Sequence, residues 1–133
     1  MEYAKGQPDS QPRPGDPGTF TGEALLNVVL DGGDAPKIRV NNVRFEPGGR
    51  TYWHSHADGQ ALLVSDGRGM VETRDGDRHV LDPGDVVWAP PGEEHWHGAA
   101  PDSFVTHTAI SIGVTQWREE VPADRYESAF KEE

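Results

Sequence analysis

Two segments decide how this chain folds: G-G-R-T-Y-W-H-S-H-A-D-G-Q, Gly48–Gln60, and G-D-V-V-W-A-P-P-G-E-E-H-W-H, Gly84–His97. Side chains alternate faces along an extended strand, so His54 and His56 project to one side and Trp53 and Ser55 to the other. His95 and His97 repeat the same-face pair on a second strand. Gln60 follows across Ala57-Asp58-Gly59, where the chain can turn back beside the imidazoles. One H-x-H pair is weak evidence for a ligand site. Two such pairs, each punctuated by glycine and proline, predict a single divalent metal site inside a small β-barrel.

Outward from these segments the chain reads as strands and turns. Ala24–Leu30 is an apolar, β-leaning run closed by Asp31-Gly32-Gly33. Within Lys37–Phe45 the apolar positions are Ile38, Val40, Val43 and Phe45, and Asn41-Asn42 reads as a bulge or a slip in phase. Thr51–His56 and Gln60–Val64 follow, then Met70–Thr73 and His79–Leu81 with Asp75-Gly76 as the hairpin turn between them. Phe104–Ile112 is the longest alternating run, and Pro122–Phe130 fits a short helix with Tyr126 and Phe130 on one face. About ten short strands between turn residues specify an all-β chain closed as an antiparallel barrel or jelly roll.

Met1–Thr19, with Pro8, Pro12, Pro14 and Pro17, has too little apolar surface to offset its ordering entropy and is expected to be a flexible or extended arm. The domain proper is then residues 20–133, with its core at 37–115. At 133 residues the chain supports one domain, and a formal charge of −11 excludes nucleic acid and anionic membrane as partners. There is no cysteine, so neither disulfides nor thiolate metal sites arise. The opening M-E-Y-A-K-G lacks the apolar run of a signal peptide, and the expected location is cytoplasmic.

Gly48-x5-His54-x-His56-x3-Gln60-x6-Gly67 resembles the first cupin motif, with Gln60 where most members carry glutamate. Gly84-x5-Pro90-x-Gly92-x2-His95 resembles the second, with Ala99 in place of its terminal asparagine. The resemblance implies a cupin-type jelly-roll barrel with one divalent ion per subunit on His54, His56, Gln60 and His95. Stretches at Phe45–His54, Gly84–Trp88, His95–Pro101 and Thr106–Ile110 are similar to those of small bacterial cupins with manganese-dependent hydroxynitrile lyase activity. That similarity implies manganese first, with iron, nickel, copper or zinc as alternatives.

Three imidazoles and an amide leave the full +2 charge of an ion uncompensated, which favours Lewis-acid chemistry over oxygen chemistry. Alternation in Phe104–Ile112 puts Val105, His107, Ala109 and Ser111 on one face. An imidazole with a pKa of about 6.5 suits a general base. The resemblance gives that role to His107 and places His97 beside it as a second polar group. The substrate pocket is expected to include Val43, Thr51, Tyr52, Leu62, Met70, Trp88 and Ser111, along with Val64, Val86 and Phe104; His79 is expected at the surface. Trp53 and Trp96 point outward, which fits a homodimer through outer barrel strands. The functional expectation is a metal-dependent lyase of cyanohydrin-like bonds on a small-molecule substrate. The competing readings are a metal-dependent dioxygenase and a non-catalytic metal- or small-molecule-binding cupin.

Overall fold

A computed structural model describes residues 1–131. Two antiparallel sheets curl against each other, and both H-x-H pairs lie on one of them. The first sheet runs in the order β1 (Arg13–Pro14), β3 (Ala24–Gly32), β4 (Ile38–Phe45), β12 (Val105–Ile112), β7 (Gln60–Gly67), β10 (Val86–Ala89). The second contains β2 (Phe20–Thr21), β5 (Arg50–Thr51), β6 (His54–His56), β11 (His95–Ala99) and β13 (Thr115–Trp117), extended by β8 (Gly69–Thr73) and β9 (Arg78–Leu81). The helix α1 spans Ala123–Ala129 behind Pro122, whose missing N–H costs nothing at a helix start. Among the described residues no helix is long and apolar enough to cross a membrane.

The inner faces of the two sheets enclose Phe45, Leu62, Val64, Val71, Leu81, Ala99 and Val105, all buried. A second apolar cluster lies on the outside of the histidine sheet, where α1 lays Tyr126 and Ala129 over Trp53, Met70 and Trp96. The outward phase expected for Trp53 and Trp96 is therefore correct, but their cover is the chain's own helix. They supply no surface for a partner.

Strand phase differs from the sequence expectation at Asn41-Asn42. β4 pairs with β12 without a break from Val105↔Phe45 to Ile112↔Ile38, and the extra residue sits instead at Val29 on β3, between Val28↔Asn41 and Leu30↔Val40. Arg39, Asn41 and Val43 consequently line the same cavity. A second bulge places Ser65 on β7 between the pairs Thr106↔Asp66 and His107↔Val64, and its hydroxyl donates to the Thr106 carbonyl. The expected strand Thr51–His56 is also two pieces. Interruption at Tyr52 and Trp53 lets Thr51 and His54 both reach the cavity, which unbroken alternation would forbid.

Residues 1–19 lie along the first sheet. Arg13–Pro14 pairs with Leu25–Leu26, Asn27 bonds Ser10 through side chain and backbone, and Asn42 Nδ2 donates to the Gly6 carbonyl. Gly67, the last glycine of the first motif, has φ of +78° and a backbone so close to Phe104 that a Cβ would lie 2.0 Å from its carbonyl oxygen. Only glycine fits there.

Candidate metal centre and substrate cavity

The cluster is assembled from both sheets. Across β13, β6 and β11, Trp117 pairs with His54 and His54 pairs with His95, while Thr115 pairs with His56. Residues directly opposite share a face, so these pairs aim the imidazoles at one another. On the facing sheet three rows run across β4, β12 and β7: Val43–His107–Val64, Asn41–Ala109–Leu62 and Arg39–Ser111–Gln60. The last row carries Gln60 to the histidines.

Each of three histidines has one nitrogen engaged by its surroundings. His54 Nδ1 lies 2.9 Å from the Tyr52 carbonyl, and His95 Nδ1 lies 3.1 Å from the Glu93 carbonyl. A carbonyl accepts only, so Nδ1 carries the proton in both rings and Nε2 is left as a lone-pair donor. His56 Nδ1 meets the Thr115 hydroxyl at 3.1 Å, and its Nε2 is buried with no hydrogen-bond partner. Gln60 Nε2 donates to Ser111 Oγ, which turns Oε1 into the cluster, 3.0 Å from His95 Nε2. This donor set fits a divalent ion: neutral nitrogens with a fixed tautomer, one oriented amide oxygen and one buried nitrogen lacking any partner.

His97 completes the group. Ligand nitrogens of His54, His95 and His97 all lie within 4.8 Å of one another, so these three imidazoles can hold a metal ion. His97 differs from the others in its support, since its backbone N–H donates to Thr51 Oγ1 and its ring Nδ1 is buried without a partner. His107 packs against it with ring centroids 5.0 Å apart and against Phe45 at 5.7 Å, and neither His107 nitrogen has a partner.

Burial holds all five rings neutral. Desolvation pushes His54 and His97 well below the ordinary imidazole range and lowers His95, with neighbouring imidazoles adding to the effect on the first two. His56 and His107 are lowered to about 4, chiefly by desolvation. Charged rings this close would repel one another; neutral rings pack and keep their lone pairs.

A cavity of about 370 Å³ opens on the cluster. His54, His56, Gln60 and His97 form its polar side, with Thr51, Ser111 and Thr115 beside them and Val43, Phe45 and Ala109 as apolar wall. Of the residues expected in the pocket, Val43, Thr51 and Ser111 line it. Leu62 lies deeper, in the packed core. Four expectations are corrected, for Met70, Trp88, Val86 and Tyr52. Met70 is opposite Gly98 on the outward face of its sheet and packs under α1 with Trp96. Trp88 is 54% exposed, because the β10–β7 register turns Val87 inward beside Leu62 and sends Val86 and Trp88 out. Tyr52 falls in the break between β5 and β6, and its hydroxyl donates to the Pro17 carbonyl. His107 itself is not in the cavity wall: His97 is, with His107 in ring contact behind it. His79 is exposed beside Asp77, as expected.

The sequence reading missed Lys37, Arg39 and Asn41 in the cavity wall, and Trp117 against His54 with ring centroids 4.7 Å apart. The first group was hidden by the assumed phase slip. Thr115-x-Trp117 carries the same one-face spacing as the H-x-H pairs and could have been read as their neighbour.

Comparison with known proteins agrees with this geometry. The cupin domain family model matches residues 41–108. An (R)-mandelonitrile lyase of Granulicella tundricola is 40% identical over 111 residues, covering 80% of this chain and 85% of the relative. A cupin-like protein of Thermotoga maritima superposes with a TM-score of 0.83 at 37% identity, covering 90% of this chain and 94% of that one. The polyketide cyclase RemF of Streptomyces resistomycificus, 20% identical with a TM-score of 0.62 over 78% of this chain and 76% of its own, shares the fold. Two curled sheets around a buried histidine cluster, matched over this length, place the chain in the cupin family.

Proposed function

We propose that this cupin is a metal-dependent lyase that cleaves and forms cyanohydrin-like carbon–carbon bonds. The observation that carries the reading is the neutral, pre-oriented donor set of His54, His56, His95 and Gln60 beside a cavity, in a chain 40% identical to a mandelonitrile lyase. We assign the ion to these four, manganese first. His56 is preferred to His97 as the third imidazole because the Thr115 hydroxyl can accept from its Nδ1–H, leaving the unpartnered Nε2 as the lone-pair donor. A divalent ion bound there supplies Lewis-acid polarisation of a substrate oxygen.

The protein's own groups handle the proton. His107 is the base, and His97, which faces the cavity, is the polar group between it and the substrate. Loss of the hydroxyl proton from a cyanohydrin lets the carbon–carbon bond break to an aldehyde and cyanide, and the same proton leaves with cyanide as hydrogen cyanide. Burial that lowers the ring to about 4 makes it a weaker base than the ordinary imidazole expected from the sequence, while its conjugate acid passes the proton readily to the departing cyanide. Val43, Phe45 and Ala109 give the cavity its apolar wall. The test is cyanide release from mandelonitrile by the manganese-loaded protein. It should disappear in His107→Ala while metal content is unchanged. Oxygen uptake coupled to turnover would replace this reading with the dioxygenase one.

We further propose that the protein works as a homodimer, through the sheet opposite α1. Leu63, Val86 and Trp88 lie exposed on its outer face, with Val86 directly opposite Leu63. Leu63→Asp combined with Val86→Asp should halve the mass seen by sedimentation at micromolar concentration.

A further inference from the structure

The mouth of the cavity is basic in a chain that carries a net charge of −11. Lys37 and Arg39 both line the cavity, and each reaches the single carboxylate of Asp31, at 3.5 Å and 3.2 Å. One carboxylate cannot neutralise two cations, so the trio keeps a net positive charge where substrate would pass. The opposing groups near that rim are Asp58, whose carboxylate lies against Gly113, and Glu2, whose carboxylate accepts from the Gly33 N–H; neither makes an ion pair with Lys37 or Arg39. The inward row Arg39–Ser111–Gln60 fixes the spacing between this charge and the metal ligands. Two inter-strand steps separate Arg39 from Gln60, about 10 Å at the backbone. Asn41 stands on the same strand face with Oδ1 buried and unpartnered, a further polar group with no use inside the protein.

The geometry points to an anionic substrate: an aldehyde, or the cyanohydrin made from it, carrying a carboxylate that Arg39 and Lys37 receive at the mouth while its oxygen end lies among the histidines. This rests on reading the cavity as the lyase's substrate site and adds the class of compound it selects. A neutral aldehyde would fill the same wall of Val43, Phe45 and Ala109 and leave the rim charge unused.

The test uses the manganese-loaded protein without cyanide, so that binding is measured apart from turnover. Titration calorimetry compares 4-formylbenzoate with 4-formylbenzamide, which has the same shape and no charge. The carboxylate should bind about fivefold more tightly at low salt, the advantage expected of a half-exposed ion pair, and the gap should close as salt is added. Arg39→Gln should erase the gap, and Asp31→Asn should widen it by freeing both cations. Equal binding of the two probes to the unaltered protein, or a gap that survives Arg39→Gln, overturns the inference. Cyanide release from the two cyanohydrins is measured separately. A preference for the anion with no cyanide release would sustain the inference and sink the lyase reading.

Discussion

In the site proposed above the chemistry turns on Gln60, the neutral donor that a change of one atom would charge. Its amide is fixed at both ends, donating to Ser111 and presenting Oε1 toward His95. Gln60→Glu would cancel one unit of the ion's charge and replace a donor to Ser111 by an acceptor. Metal should be held more tightly, by dialysis against a chelator, while cyanide release falls at least about tenfold as the ion's electrophilicity drops. Thr115→Val addresses the same centre from behind. It removes the hydroxyl that meets His56 Nδ1, and metal affinity should fall by about 10- to 100-fold with the fold intact by circular dichroism. At this scale the histidines and Gln60 were readable, because a same-face pair in a strand needs nothing but alternation. Thr115 and Trp117 were not, because which strand lies beside His56 and His54 is set by pairing over some sixty residues of chain.

Among the elements, α1 has the least obvious task. It is a helix of only 7 residues, too short to be stable alone, so packing must hold it. Tyr126 Oη donates to the Ala99 carbonyl at 2.6 Å, and Arg125 reaches both Glu72 and the backbone of Thr73 and Arg74. Glu72, buried, also accepts from Trp96 Nε1 at 2.9 Å. Trp96 is completely buried between helix and sheet and sits between His95 and His97 in sequence, so the helix braces the back of the strand whose front faces the site. Trp96→Ala should cost about 3–5 kcal/mol in urea unfolding, and Tyr126→Phe about 1 kcal/mol. The helix itself was legible from Pro122 and the Tyr126–Phe130 spacing. Its docking was not: outward tryptophans look alike whether a second subunit or the chain's own tail covers them. The phase of β4 shows the complementary failure. Ile38 and Val40 look like core positions, yet an unbroken register with β12 turns Arg39 and Asn41 inward. Hydropathy marks the apolar half of a strand, while the register is decided by both neighbours at once.

For the whole molecule, five buried neutral imidazoles make stability depend on pH. His56 and His107 are lowered to about 4 in the folded protein by desolvation, and the unfolded chain binds protons at about 6.5. Between those values the unfolded state carries more protons, so the stability these two contribute is fully present above about pH 6.5 and is lost as pH drops to about 4, with His54 and His97, pushed well below the ordinary range, adding to the decline. His107 alone accounts for on the order of 3 kcal/mol of this, and His56 for somewhat less because it borders the cavity. Urea midpoints taken from pH 7.5 to 4 on metal-free protein should show the decline, and His107→Leu should flatten part of it.

The donors also come from opposite halves of the fold: His54, His56 and His95 stand on one sheet and Gln60 on the other. An ion shared among them would therefore be a rivet between two leaves that meet largely through apolar contact. A motion that parts the leaves would pull on Gln60 and leave the three histidines, all on one sheet, in place. Where metal loss runs through that motion, the rate at which a chelator strips the ion becomes a clock for it.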